Sequence, residues 1–161
     1  ELLKPMGRRC APGQRLGGLE MIKRLCLTVL LLLIGCQSAF ADDFQIIASV
    51  IAAEACSEGQ VGMDLIAEVI SNRAKKWHKT PLEVVTAKNQ FYGYTAPNRP
   101  KLYAQCQLEA DRAATEVFTG ETGQITGGAI YYLLPGEPLR SWHGKKIITY
   151  KKHSFYTEEK R

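Results

Sequence analysis

The residue best suited to chemistry is Glu54, in the stretch Ile51-Ala52-Ala53-Glu54-Ala55-Cys56-Ser57-Glu58-Gly59. It is a carboxyl group among small and apolar neighbours, near the end of a segment with helical periodicity. Burial disfavours the charged form of a carboxylate, and a helix C-terminus pushes the same way. A carboxylic acid kept protonated near neutral pH is suited to general acid catalysis, for example protonation of a glycosidic oxygen. The alternative is a glutamate on the solvent edge of an alanine-rich helix. Glu58 is the nearest second carboxylate. In a continuing helix the two would share a face, with Cβ atoms about 5–6 Å apart. Ser57 and Gly59 interrupt that helix, so Glu58 reads as a structural group binding backbone N–H groups at the start of the next one, with a catalytic role as the alternative. No metal or other cofactor is expected, because the chain has no CxxC and His78, His143 and His153 are scattered.

The elements that must position these groups follow from the apolar spacing. Phe44, Ile47, Ile51 and Ala55 fall on one helical face, with Ala48 and Ala52 beside them. A second helix is expected from about residue 60 to 77, with Val61, Leu65 and Val69 as its stripe and Ile66 and Ile70 alongside; Asn72-Arg73 at its end reads as structural. Thr80-Pro81-Leu82-Glu83 is a capping box that opens a short helix. Residues 89–100 read as a loop, and 100–118 as a third long helix stopped by Gly120. Residues 129–134 suit a strand, Pro135-Gly136-Glu137-Pro138 a turn, and 145–156 one or two further strands. Helices first and strands last indicate a small α+β domain with a short antiparallel sheet or hairpin.

The 161 residues are one domain's worth of sequence. The net charge of +5 arises mainly at the front, where residues 1–41 carry six Lys/Arg against two Glu. Residues 42–161 carry 15 Lys/Arg and 14 Asp/Glu, so nucleic-acid binding is not expected of them. Met21-Ile22-Lys23-Arg24, the apolar run from Leu25 to Ile34 and Ala39-Phe40-Ala41 have the order of a secretory signal peptide cut after Ala41. Leu33-Ile34-Gly35-Cys36 also resembles a lipobox, in which Cys36 would be diacylated and become the new N-terminus, so membrane contact is expected only through the leader or through this lipid anchor. Residues 1–20 read as an upstream segment outside the fold, 21–41 as the signal peptide, and 42–161 as the working domain, a monomer. Export would leave Cys56 and Cys106 in an oxidising compartment, where they either pair or stay as two buried thiols.

A set of short motifs supplies a family resemblance. Ala53-Glu54-Ala55, Glu58, Gly62 and Val69-Ile70-Ser71-Asn72-Arg73 are followed in order by Gln90-Phe91, Gly127-Gly128-Ala129-Ile130-Tyr131-Tyr132 and His153-Ser154-Phe155-Tyr156. Over residues 44–157 this resembles the SleB-type cell wall hydrolases, a family that includes spore-cortex-lytic enzymes. The chain departs from the family pattern at Cys56-Ser57, at Tyr92 after Gln90-Phe91, and at Lys152 before the His-x-Phe motif. The resemblance implies a lysozyme-like helical core, peptidoglycan glycan strands as the partner, a periplasmic or secreted location, and lytic transglycosylase activity with Glu54 as acid/base.

Further candidates concern the sugar. Tyr131 and Tyr132 alternate across a strand, so one can face a sugar cleft and the other the core. Gln90 is a candidate hydrogen-bond donor to substrate. Trp142 is either a sugar platform or a core plug, and His153 either binds substrate or caps backbone groups. Two competing readings remain. One is a non-catalytic envelope or wall-binding protein that keeps the fold; the other is a wall amidase or peptidase, which would need zinc or a Cys/His pair.

Overall fold

The computed structural model describes the backbone of residues 16–159 and the side chains of residues 21–27 and 41–159. Cys36 and most of the apolar run lie outside the residues whose side chains are described, as do the residues of the upstream segment. Among the described residues no helix is long and apolar enough to cross a membrane. The chain divides into two compact units, Glu1–Ala39 and Phe40–Arg161. In the first, residues 16–39 are helical. The second carries the site.

Helix α1 (Leu16–Ala55) supplies the central element of that second unit, and a single turn of 3-10 helix (Cys56–Glu58) joins it to α2 (Gly59–Trp77). The expected face of α1 is buried at Ile47, Ala48, Ile51, Ala52 and Ala55, and Val50 is buried with it. Phe44 is half-buried and stacks on Phe118, ring centroids 5.8 Å apart. The alanines let neighbouring elements approach closely, which suits a helix surrounded on most sides. In α2, Leu65, Ile66, Val69 and Ile70 are buried as the spacing predicts, but Val61 is exposed. The first turn of α2 instead turns Gly62 and Met63 inward. Helix α2 ends on His78 in a left-handed conformation, whose N–H donates to the Ala74 carbonyl.

Helix α3 (Pro81–Thr86) starts at the expected capping box: the Glu83 N–H donates to Thr80 Oγ1 at 3.2 Å, and the Thr80 N–H donates to Glu83 Oε2 at 2.8 Å. The segment read as a loop contains a four-residue helix, α4 (Tyr92–Thr95). The expected long third helix is two helices, α5 (Arg99–Gln105) and α6 (Gln107–Thr119). The break falls at Cys106, whose backbone is non-helical (φ −125°, ψ 28°) and whose sulfur is joined to Cys56, with Cα atoms 5.8 Å apart. The Tyr103 hydroxyl donates to Asp111 Oδ1 at 2.8 Å and ties α5 to α6 across the break. Helix α6 packs on α2 through Ala110, Ala113, Ala114 and Val117.

Strands β1 (Tyr131–Leu133), β2 (His143–Tyr150) and β3 (His153–Glu158) form an antiparallel sheet in the order β1-β3-β2. Tyr132 pairs with Phe155, and Tyr150 pairs with His153 across a tight turn at Lys151-Lys152. Register shifts on either side of Lys146 bend β2. The order of helices first and antiparallel sheet last is the α+β arrangement expected from the sequence. The core combines α1, α2, α3 and α6 with Ala129 and Phe155.

Two side chains of α2, one buried and one half-buried, fasten the polar segment before β1. Glu68 is 1% exposed, and its two oxygens accept the N–H groups of Ile125 at 2.8 Å and Thr126 at 2.7 Å. One turn on, Asn72 Nδ2 donates to the Ala129 carbonyl at 3.0 Å. These bonds set where β1 begins, and so where Tyr131 and Tyr132 stand.

Candidate active site

Glu54 occupies the last turn of α1, where the helix supplies no further backbone N–H to balance the terminal carbonyls. Its Oε1 instead accepts the Gly93 N–H of α4 at 2.6 Å. Glycine is required there by distance: a Cβ on residue 93 would lie 2.9 Å from the Val50 carbonyl oxygen and 3.0 Å from Glu54 Oε1. The Tyr132 phenol stands beside the same carboxyl group and favours its ionised form. Burial is the strongest influence on Glu54 and raises its pKa. The Gly93 N–H, the Tyr132 hydroxyl and the charges of His153 and Arg73 pull the other way without cancelling it. The Tyr132 phenol is itself held well above its ordinary pKa, first by burial and then by the Glu54 carboxylate. It is therefore a constant hydrogen-bond donor.

Arg73 joins the two sides of the site. It is 4% exposed, donates from Nε to the Ile130 carbonyl at 2.6 Å and from a terminal nitrogen to the Gln90 carbonyl at 3.2 Å. Its guanidinium lies 4.8 Å from the Phe91 ring centroid, 5.5 Å from Trp77 and 5.9 Å from Tyr132. These rings stabilise a cation that burial would otherwise disfavour. One side chain of α2 thus holds the residue before β1 and the residue before Phe91, and it faces Glu54 across the gap.

Glu54, Gln90, Tyr131, Tyr132 and Trp142 line a single cavity of about 380 Å³. Both tyrosines reach it although they alternate along β1. The cavity lining runs along β1, an edge strand, through Leu133 and on to Leu134. Tyr132 also packs on the core side, 6.0 Å from Phe91 and 6.2 Å from Phe155, while Tyr131 meets His143 edge-on at 5.1 Å.

Two sequence candidates stand elsewhere. His153 is 3% exposed and lies against the Tyr132 ring, edge-on at 5.1 Å, away from the cavity lining. Its Nδ1 is 3.0 Å from Glu58 Oε1. Glu58 makes no side-chain cap to α2, contrary to the expectation from its position. It is buried, and Oε1 accepts the Lys152 N–H at 3.2 Å, while its carbonyl accepts Lys151 Nζ at 2.7 Å. The reason is local. The left-handed Gly59 turns the chain, and a Cβ on Gly62 would lie 2.4 Å from Glu58 Cβ, so the missing side chain makes room for Glu58 to fold inward. Glu58 and His153 together pin the β2–β3 turn to the start of α2.

Besides Leu133 and Leu134, four cavity residues were not site candidates in the sequence: Arg73, which read as structural, Tyr92, which stood out only as a departure from the family pattern, and Asn89 and Glu137. Arg73 follows Asn72 at what looks like a solvated helix end. Glu137 sits in the turn Pro135–Pro138, and its Oε2 accepts the Leu134 N–H at 2.7 Å. It is a second carboxylate on the wall that Glu54 lines, a place Glu58 does not occupy.

Comparisons with known proteins bear on the fold and the family. No curated protein matches the chain. Its fold matches the crystal structure of the catalytic domain of the Bacillus cereus SleB protein with a TM-score of 0.58 and 24% sequence identity, covering 73% of this chain and 91% of that one. The model of the Cell Wall Hydrolase family matches residues 57–156, beginning three residues after Glu54 and taking in every other cavity residue. With more than half of its length matched, the chain belongs to the cell wall hydrolase family.

Proposed function

We propose that the protein is an exported glycosidase that cleaves peptidoglycan between N-acetylmuramic acid and N-acetylglucosamine, acting as a lytic transglycosylase with Glu54 as its general acid/base. The observation that carries the proposal is the buried Glu54 carboxyl, raised in pKa and oriented by the Gly93 N–H, on the wall of a cavity lined by tyrosines, Gln90 and Trp142. Membership of the cell wall hydrolase family supports the substrate class.

In the proposed reaction, protonated Glu54 gives its proton to the glycosidic oxygen as the bond to the muramoyl C1 breaks. The N-acetylglucosamine side leaves as an alcohol. The Glu54 carboxylate then takes the proton of the muramoyl C6 hydroxyl, whose oxygen bonds to C1 and closes a 1,6-anhydro ring. One carboxyl group serves both steps and no water is consumed. Tyr132 and the Gly93 N–H stabilise the carboxylate between the steps. Gln90, Tyr131 and Trp142 are the proposed sugar contacts. The leader at residues 21–41 would bring the domain to the wall, whether by cleavage after Ala41 or by lipidation at Cys36.

Glu137 supports a second reading. Glycoside hydrolases normally pair an acid with a second carboxylate that activates water or attacks the sugar, and Glu137 lines the same cavity as Glu54. Product analysis separates the two. Purified peptidoglycan is digested with wild-type protein and Glu54→Gln, and the released fragments are weighed by mass spectrometry. Transglycosylation yields anhydro-muramoyl ends, lost by about 10²–10⁴-fold in Glu54→Gln. Reducing muramoyl ends that vanish in Glu137→Gln would establish hydrolysis instead. Release of nothing by wild type, with wall binding intact, would show a non-catalytic wall-binding protein.

A further inference from the structure

A second cavity, of about 510 Å³, lies beside the first. It is lined by the end of α3 and the residues after it, including Thr86 and Lys88, and by α4 through Thr95. The two cavities share Asn89 and Tyr92. Both volumes fall within the range of ligand sites, about 300–1,000 Å³. Tyr92 is 76% exposed, and its ring meets no other ring among the described residues. It immediately precedes Gly93, whose N–H is bonded to Glu54, so its backbone is held at a fixed reach from the acid. An aromatic ring left in water between two cavities presents an apolar face that the fold does not use. The C–H face of a pyranose ring is its chemical complement. Thr86, Lys88, Asn89 and Thr95 supply polar groups suited to sugar hydroxyl and acetamido groups.

We propose that Tyr92 is a sugar-stacking platform that joins the Glu54 cavity to this second cavity, so that one glycan strand lies across both. The inference rests on the glycosidase reading and deepens it: the substrate is an extended strand, and fragments too short to cross Tyr92 are poor substrates. Sugars in the second cavity do not react. Their binding energy holds the strand in register over Glu54.

The test uses the full chain as wild type, Tyr92→Ala and Tyr92→Phe, on long glycan strands and on fragments of two disaccharide units. Thermal melts confirm that each variant is folded, as expected for so exposed a side chain. Tyr92→Ala is expected to lower kcat/KM on long strands about tenfold more than on short fragments. Tyr92→Phe, which keeps the ring, is expected to match wild type. Equal losses on both lengths, no loss on long strands, or a Tyr92→Phe as impaired as Tyr92→Ala would each overturn the platform. Strand binding is also measured by calorimetry in a Glu54→Gln background. If wild type cleaves nothing but Tyr92→Ala weakens strand binding tenfold, the glycosidase reading fails and the platform stands. If wild type cleaves and Tyr92→Ala is silent in both assays, the platform alone fails. If wild type neither cleaves nor binds strands, both are overturned.

Discussion

One proton on Glu54 links stability to the proposed chemistry. Its raised pKa, caused first by burial, means the native state holds this proton more tightly than the unfolded chain does. Stability from this group is complete below the ordinary carboxylate range and falls as pH rises toward the native pKa, above which the buried carboxylate opposes folding. Glu54→Gln keeps an oxygen for the Gly93 N–H and removes the charge. The variant should therefore melt with wild type at about pH 3 and higher than wild type at about pH 8, as differential scanning calorimetry would show. The activity follows the same proton. The acid form starts the proposed reaction, so kcat/KM of wild type should fall as pH climbs through the Glu54 pKa, with the midpoint above that of a free glutamate. A midpoint at the free-glutamate value would remove Glu54 as the group that controls the rate. Glu54 was visible in the sequence because a charged residue among Ala52, Ala53 and Ala55 is out of place. Arg73 was not, because an arginine near a helix end is ordinary until its neighbours are known. Its partners, the carbonyls of Gln90 and Ile130, are distant in sequence.

At the scale of elements, one carboxylate of α2 holds two backbone N–H groups of the segment between α6 and β1. Glu68 satisfies two N–H groups, on Ile125 and Thr126, and the latter bond is buried. Glu68→Ala leaves both donors unpaired and should cost on the order of 3 kcal/mol, read by urea unfolding. Fluorescence or exchange of the Tyr131 region should report loosening before the helices unfold. A loss below about 0.5 kcal/mol would mean that water replaces the carboxylate freely. The spacing of Leu65, Ile66, Val69 and Ile70 placed α2 correctly because packing follows the helical period. It gave no hint of Glu68, since period alone does not distinguish a solvated glutamate from one that a loop folds over. The same limit explains Glu58. Its inward rotation depends on the missing Cβ at Gly62 and on the β2–β3 turn arriving from about 90 residues away.

The whole unit Phe40–Arg161 is tied together by the Cys56–Cys106 disulfide, which joins the end of α1 to the α5–α6 junction. The enclosed loop spans a sequence separation of 50, for which chain entropy gives about 4 kcal/mol of stabilisation. Cys56→Ser with Cys106→Ser should lower the unfolding free energy by up to about that amount in guanidinium titrations, and wild type in reductant should behave like the double variant. No difference between the oxidised and reduced chains would show that packing alone holds α1 to α5. Sequence by itself determined the order of helices and sheet, the inward face of α1, the capping box of α3, and Glu54 as the residue to watch. These depend on local preferences and on the period of burial, both written along the chain. Tertiary structure alone decided that Glu54, Arg73, Tyr132 and Glu137 line one cavity, that Glu58 and His153 stand outside it, and that Tyr92 bridges to a second. Those placements come from contacts between residues tens of positions apart, where the available space and the unpaired polar groups of one segment are set by the folding of another.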